Sequence, residues 1–211
     1  MSQKSSGDQA RALLDSLSSI SEVATSDISE TPHQAVKEAL TAGLYNAVVT
    51  AITTFQQNSP DEMTPELFGS LEYTLNKLGR HAEAVEAHQT AIKLDPNGAY
   101  IDSEYLQNEL GYALSKLGRY DEAEIAYRRA IEFDPYNSFT HNNLGYTLSE
   151  LGRYAEAVDT LRTAIGLDPD YAVVHGNLGY ALDQLGRHDE AVDALRTATK
   201  LGPDCAAAYA N

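Results

Sequence analysis

One string of residues recurs along this chain, and its spacing constrains the fold more than any other feature. LGRYDEAEIAYRRAIEFDP begins at Leu117, LGRYAEAVDTLRTAIGLDP at Leu151 and LGRHDEAVDALRTATKLGP at Leu185, so successive copies lie 34 residues apart. An earlier copy, LGRHAEAVEAHQTAIKLDP, starts at Leu78, 39 residues before Leu117, with the five extra residues in the connection NGAYIDS. Ahead of each copy stands a shorter string, LEYTL, LGYAL, LGYTL or LGYAL, carrying Tyr73, Tyr112, Tyr146 and Tyr180. Repetition at a fixed period implies a supersecondary unit that cannot bury its apolar face alone and stacks on its neighbours.

Each unit reads as two helices. In the first, Leu110, Leu114 and Leu117 recur at i, i+4 and i+7 and so share a helix face. Gly79, Gly118, Gly152 and Gly186 follow, where a left-handed C-cap favours a residue without a side chain. In the second helix, Tyr120, Ala123, Tyr127, Ala130 and Ile131 form another stripe, and Asp134-Pro135 ends it. Gly111, Gly145 and Gly179 in the first helices, with Ala123, Ala157 and Ala191 in the second, leave room for close helix contact.

The period, the L-G of the first helix, the G-x-Y/H-x-x-A turn and the closing D-P together resemble the tetratricopeptide repeat family. Four complete units cover 65–205. The sequence departs from the family pattern in having no Trp, in Leu75, Leu114, Leu148 and Leu182 where the family often has Tyr, and in Glu72 at the helix-A glycine of the first unit. The resemblance implies an all-α fold, a right-handed superhelix (α-solenoid) of stacked antiparallel helix pairs. The extra residues at 97–103 are expected to lengthen the linker or to extend the next helix backward.

Outside this block the signals are fainter. Gly43, Tyr45 and Pro60 keep the Gly-to-Pro spacing of the clear repeats, with Val48, Ile52 and Phe55 as core candidates, so 32–64 reads as a degenerate repeat or a pair of capping helices. A single amphipathic helix through AVKEALTAGLYNAVVTAITTF is the alternative. Residues 1–31 are Ser-rich with one short apolar pattern (Ala10, Leu13, Leu14, Leu17, Ile20), expected to be partly helical or mobile. Residues 206–211 read as the start of a fifth repeat, and apolar surface around Ala191, Leu195 and Ala198 is expected to stay partly open, available for self-association at the C-terminal end.

Composition removes several function classes. Fifteen Lys and Arg against 31 Asp and Glu give a net charge of −16, repelled by phosphate backbones and anionic lipid, so nucleic acid is not expected as a partner. A single cysteine, Cys205, admits no internal disulfide and suggests a reducing cytoplasmic compartment. MSQKSSGDQARALL lacks the apolar run of a secretory signal, and no stretch approaches a membrane span.

Nothing in the sequence reads as catalytic, metal-binding or cofactor-binding. No G-x-x-x-x-G-K, G-x-G-x-x-G or G-x-S-x-G occurs. His81 and His188 occupy the column of Tyr120 and Tyr154 and read as packing residues at the helix turn. His141 and His175 are expected to sit side by side, with no Cys, Asp or Glu in their column to complete a ligand set. Pairs such as Asp121-Glu122 and Asp189-Glu190 stand in first turns, where they favour the positive end of the helix dipole. Arg80, Arg119, Arg153 and Arg187 read as inter-repeat or surface charges.

In the family resembled, ligand peptides lie in a groove lined by the first helices. The matching columns here contain Tyr105 and Phe139; Asn108 and Asn142; Asn143 and Asn177; and the unbroken Tyr73, Tyr112, Tyr146 and Tyr180. Tyr offers a flat surface with a polar tip and Asn pairs with peptide backbone, a combination suited to an extended segment. The alternative is that these rings only pack between adjacent repeats, and both uses can coexist on one ring. The inner columns hold no Lys or Arg, which disfavours a clamp for a C-terminal carboxylate, and the acidity favours neutral or basic segments. The expected function is a non-catalytic protein–protein interaction scaffold, with the substrate-recognition arm of a larger enzyme, such as a repeat-bearing glycosyltransferase, as the alternative.

Overall fold

The computed structural model describes residues 32–41, 43–58, 60–95 and 103–202, so residues 1–31, the connection 96–102 and the C-terminal 203–211 lie outside the described residues. The chain divides into two units, Met1–Asp102 and Ser103–Asn211. Unit 1 contains α1 (Pro32–Thr41), α2 (Tyr45–Asn58), a short 3-10 turn (Pro60–Glu62), α3 (Pro65–Lys77) and α4 (His81–Leu94). Unit 2 contains α5 (Glu104–Lys116), α6 (Tyr120–Phe133), α7 (Ser138–Glu150), α8 (Tyr154–Leu167), α9 (Ala172–Gln184) and α10 (His188–Leu201). No strand occurs among the described residues. The fold is an all-α solenoid of stacked antiparallel helix pairs: α3 packs on α4, α5 on α6, α7 on α8 and α9 on α10, and within unit 2 α6 packs on α7 and α8 on α9.

Local chemistry accounts for where the helices start and stop. The Thr64 and Ser103 hydroxyls accept from the backbone N–H of Leu67 and Leu106 at 3.4 and 3.3 Å, and Asn137 Oδ1 accepts from Phe139 and Thr140 at 2.9 and 3.2 Å. These side chains satisfy donors that the first turn leaves orphaned. At the other end of the first helices the expected glycine caps are present. Gly79, Gly118, Gly152 and Gly186 all have φ between 71° and 73°. The chain reverses through bonds such as Arg119 N–H to the Leu114 carbonyl at 2.9 Å and Gly118 N–H to that of Ser115 at 3.0 Å. The second helices stop ahead of Asp95, Asp134 and Asp168.

The interior of each repeat in unit 2 is built on one close approach. A Cβ placed on Gly111 would lie 2.7 Å from the Tyr127 ring, on Gly145 2.5 Å from Leu161 and on Gly179 2.6 Å from Leu195. Ala123, Ala157 and Ala191 are buried beneath the same crossings, as are Leu114, Leu148 and Leu182. Leu117 departs from its expected place on the Leu110–Leu114 face: it belongs to the turn, after the helix has ended, and is 39% exposed. In unit 1 the equivalent crossing is made differently. Glu72 stands in the glycine position and His88 in that of Tyr127, and Nδ1 of His88 lies 2.9 Å from Glu72 Oε2, both side chains almost fully buried.

Three sequence expectations meet the structure at the margins. Residues 32–58 form two helices separated at Gly43 (φ 71°), not one continuous helix; Val48, Ile52 and Phe55 are buried as expected, and α2 packs on α3. The extra residues before α5 do not extend it backward. It begins at Glu104, in register with Ser138 and Ala172, because Ser103 caps it as Asn137 caps α7. Of the residues expected to leave apolar surface partly open at the C-terminal end, Ala191 and Ala198 are buried and Leu195 is half-buried against Gly179, while neighbouring Val192 and Leu201 are 45% and 37% exposed. The proposed fifth repeat, like the Ser-rich N-terminal segment, falls outside the described residues.

Two stability predictions follow from these crossings. Gly145→Ala forces its methyl group into Leu161 and should lower stability by about 1–3 kcal/mol, the usual cost of overfilling a packed core, read from the midpoint of a urea melt. His88→Tyr alone removes the ring nitrogen that meets Glu72 at 2.9 Å and should cost about 1–3 kcal/mol, whereas Glu72→Gly with His88→Tyr reproduces the Gly111–Tyr127 pairing and should recover most of that loss. A double-mutant cycle that adds without coupling would overturn the second prediction.

Candidate functional site

In unit 2 the first helices α5, α7 and α9 pack in sequence, α5 against α7 and α7 against α9, and so present one residue per repeat at each height of a shared face. Tyr112, Tyr146 and Tyr180 follow directly after Gly111, Gly145 and Gly179. One residue along a helix turns about 100°, so a glycine aimed at the partner helix directs the following tyrosine off the crossing. The three rings are 37%, 41% and 40% exposed. They are neither sealed between repeats nor free in solvent.

Each tyrosine has a different neighbourhood. The Lys116 ammonium lies 5.3 Å from the Tyr112 ring centroid, a cation–π contact made within α5. Tyr146 lies near Tyr120 and near Glu150, one turn further along α7; burial first, then the neighbouring Glu150 carboxylate, pushes its hydroxyl up to about 12. Tyr180 meets Tyr154 edge-on at 6.4 Å, and burial followed by Tyr154 and Glu150 raises its pKa as well. Tyr120 is raised by burial and by Glu150. Tyr73, in unit 1, packs edge-on against Tyr45 at 6.3 Å with the Lys77 ammonium 5.0 Å above its ring.

The remaining candidate residues divide into two groups. Tyr105 and Phe139 are 47% and 51% exposed, and Phe139 stacks on Tyr171 at 5.9 Å with an interplanar angle of 11°. The asparagines form a bridge between repeats: Asn143 donates to Asn108 at 3.3 Å, Asn177 to Asn142 at 2.8 Å and Asn142 to Asn143 at 3.4 Å. Asn142 and Asn177 are buried, so their amides join one first helix to the next. Glu104 adds to this join by accepting from Asn137 Nδ2 at 3.0 Å and Thr140 Oγ1 at 2.9 Å.

The histidines have structural partners. His141 and His175 each place Nε2 2.9 Å from a backbone carbonyl, of Pro135 and Pro169, and so tie each first helix to the turn before it. His81 sits 3.3 Å from Asn76 Oδ1. His188, expected to pack, is exposed and lies 2.7 Å from Asp183 Oδ1, because a ring with two polar atoms bonds the surface where tyrosine packs its carbons. No group of three His, Cys, Asp or Glu among the described residues is placed to hold a metal ion. The recurrent arginines form outward pairs three residues apart, Arg119 with Glu122, Arg153 with Glu156 and Arg187 with Glu190, all at 2.6 Å. Arg153 also reaches Glu124 of the preceding repeat at 2.6 Å, and these pairings hold the arginine pKa values up and those of Glu122, Glu156 and Glu190 down.

Models described as tetratricopeptide repeat match residues 73–97, 105–137, 126–159 and 148–211. The chain belongs to the tetratricopeptide repeat family. Among solved structures it is similar to "MamA MSR-1 C2", at 25% identity and a TM-score of 0.68, over 80% of this chain and 93% of that one. It also resembles YrrB, described as "a TPR protein with an unusual peptide-binding site", at 17% identity and a TM-score of 0.72, over 94% of this chain and 97% of that one. A further MamA crystal structure matches at 20% identity and 0.69, over 85% and 99%. The last two likenesses show the fold alone. A search of curated proteins finds no match.

Sequence reasoning missed the Glu72–His88 pair and the environment of Tyr146. Both had a signal in the repeat register: Glu72 and His88 each break a column, and the position four residues after the tyrosine reads Lys77, Lys116, Glu150, Gln184. The raised Tyr146 pKa has a measurable consequence. A tyrosine whose folded value is raised stabilises fully below its unfolded value of about 10, and the contribution is lost as pH climbs from there through about 12. Melting temperature should fall between pH 9 and 11.5, and Tyr146→Phe, which cannot ionise, should lessen that fall.

Proposed function

We propose that this chain is a non-catalytic protein–protein interaction scaffold whose first-helix face in unit 2 receives a segment of a partner protein. The observation that carries this reading is the tyrosine row, repeated at one height on α5, α7 and α9 and left 37–41% exposed. Rings that served packing alone would gain from full burial, and tyrosine, with tryptophan and arginine, is enriched at interface hot spots. Tyr105 and Phe139 widen the same face with exposed aromatic surface, while Asn108 and Asn143 contribute amide edges that are half-buried. Asn142 and Asn177 support this face from within. Tyr73 is a corresponding site on unit 1, taken by itself.

The preferred partner is a neutral or basic protein segment, in keeping with a net charge of −16, and phosphate-rich partners are disfavoured on the same ground. No helix among the described residues is long and apolar enough to cross a membrane. A single cysteine in 211 residues suits a cytoplasmic setting.

The test is capture of partners by the immobilised chain, with mass spectrometry, run beside Tyr112→Ala/Tyr146→Ala. Interface aromatics acting as hot spots are worth about 2 kcal/mol or more each, so the double variant should lose its specific partners while its far-ultraviolet circular dichroism is unchanged. Unaltered capture, or a large loss of stability without a binding defect, would return the rings to a packing role.

A further inference from the structure

Four residues after each tyrosine of the row stands a side chain on the same helix face, one turn away. In α5 that side chain is Lys116, and its ammonium covers the Tyr112 ring at 5.3 Å. The same arrangement appears in unit 1, where Lys77 covers Tyr73 at 5.0 Å. These rings therefore accept a cation, and in α3 and α5 the chain supplies its own. In α7 the position changes sign: it is Glu150, exposed, beside a Tyr146 ring that is 41% exposed. In α9 it is the neutral Gln184. We propose that unit 2 takes an arginine or lysine side chain of the partner segment over Tyr146 and against Glu150, the place that Lys116 fills over Tyr112.

The inference rests on the binding reading above and names the chemistry of one subsite within it. The surroundings fit a cation. Tyr120 and Tyr146 approach Glu150, and Tyr180, edge-on to Tyr154 at 6.4 Å, lies within reach of the same carboxylate. Tyrosine faces attract a cation through their quadrupole, and the carboxylate adds a full opposite charge. The Glu150 carboxylate is exposed and offers about four lone-pair sites to a guanidinium or ammonium donor. Arginine suits the place well, since its plane stacks on a ring while its edge pairs with a carboxylate. The subsite also explains why only one repeat of unit 2 combines an open tyrosine with an acidic neighbour at this height: it fixes the register of a segment that would otherwise slide along a repeating face.

The test uses the full chain and a fluorescein-labelled peptide of Arg-Gly-Ser repeats, with the citrulline version as its uncharged counterpart, followed by anisotropy at low salt. Glu150→Lys supplies from within the cation that Lys116 supplies over Tyr112 and should weaken the arginine peptide about tenfold. Asp193→Lys, the same charge change on the exposed face of α10, should weaken it far less. Lys116→Glu uncovers Tyr112 and creates a second acidic tyrosine, so affinity should rise severalfold above that of Lys200→Glu, its charge-matched control. The proposal is overturned if Glu150→Lys costs no more than Asp193→Lys, if Lys116→Glu gains no more than Lys200→Glu, or if the citrulline peptide binds equally well. A captured partner that is lost with Tyr112→Ala/Tyr146→Ala but retained with Glu150→Lys would leave the binding face standing and remove this subsite alone.

Discussion

Where a first helix crosses its partner in unit 2, the absence of a side chain on one helix admits a large one from the other. Tyr127 lies against Gly111, Leu161 against Gly145 and Leu195 against Gly179, each so near that a methyl group on the glycine would overlap it. Glycine inside a helix is unfavourable by about 1 kcal/mol relative to alanine, so these positions are tolerated for what they permit across the interface. The close crossing seals Ala123, Ala157 and Ala191 beneath it and sets the rotation of each first helix about its axis. That rotation then places Tyr112, Tyr146 and Tyr180 on a common face. The row of rings is a consequence of how the glycines pack.

Unit 1 meets the same constraint with different chemistry. A glutamate at the glycine position brings a polar carboxyl group into the crossing, and a residue across from it must meet that group with a hydrogen bond. His88 does so at 2.9 Å, with a shape that also fills the hollow occupied elsewhere by Tyr127 or Leu161. A buried pair of this kind gains little net stability over an apolar replacement, because both groups lose their water, but it strongly penalises the loss of one partner alone. On the outer surface the arginine–glutamate pairs are exposed and individually weak. Arg153, which touches Glu156 in its own repeat and Glu124 in the one before, ties repeats together, as do Arg128 with Glu156 and Arg162 with Glu190.

The binding face depends on both levels of organisation. Backbone caps at Ser103 and Asn137 keep α5 and α7 in register despite the longer connection before α5, and the asparagine bridge holds α5, α7 and α9 side by side from beneath. Above it the tyrosines differ in what stands one turn along, a lysine, a glutamate or a glutamine, and in the aromatic rings beside them. A repeating scaffold thus carries a face that does not repeat, and the proposed subsite places selectivity for a partner segment in those exceptions.

Much of this was legible before any coordinates. The 34-residue period, the alternation of apolar stripes, the glycines after each first helix and the Asp-Pro stops are local signals, each set by backbone geometry within a few residues, and they sufficed for the helix pairs and for the small residues at the crossings. Periodicity also named the tyrosine column, since equal spacing along a stack means equal height. It did not separate roles within a column. Asn142 and Asn143 are adjacent in sequence, yet one is buried between helices and the other is half-open, and only the rotation of α7 against its neighbours decides which. The five extra residues before α5 read as either a longer linker or a backward extension of that helix, and the helix begins at Glu104, where the Ser103 hydroxyl caps it. Exposure of the rings, the partnering of Glu72 with His88, and the change of sign beside Tyr146 depend on contacts between residues a turn or a whole helix apart. The sequence determined the repeating backbone because that is a sum of local preferences; the tertiary structure alone decided which side chains are sealed, which are spent on one another and which are left exposed, because those are properties of surfaces brought together.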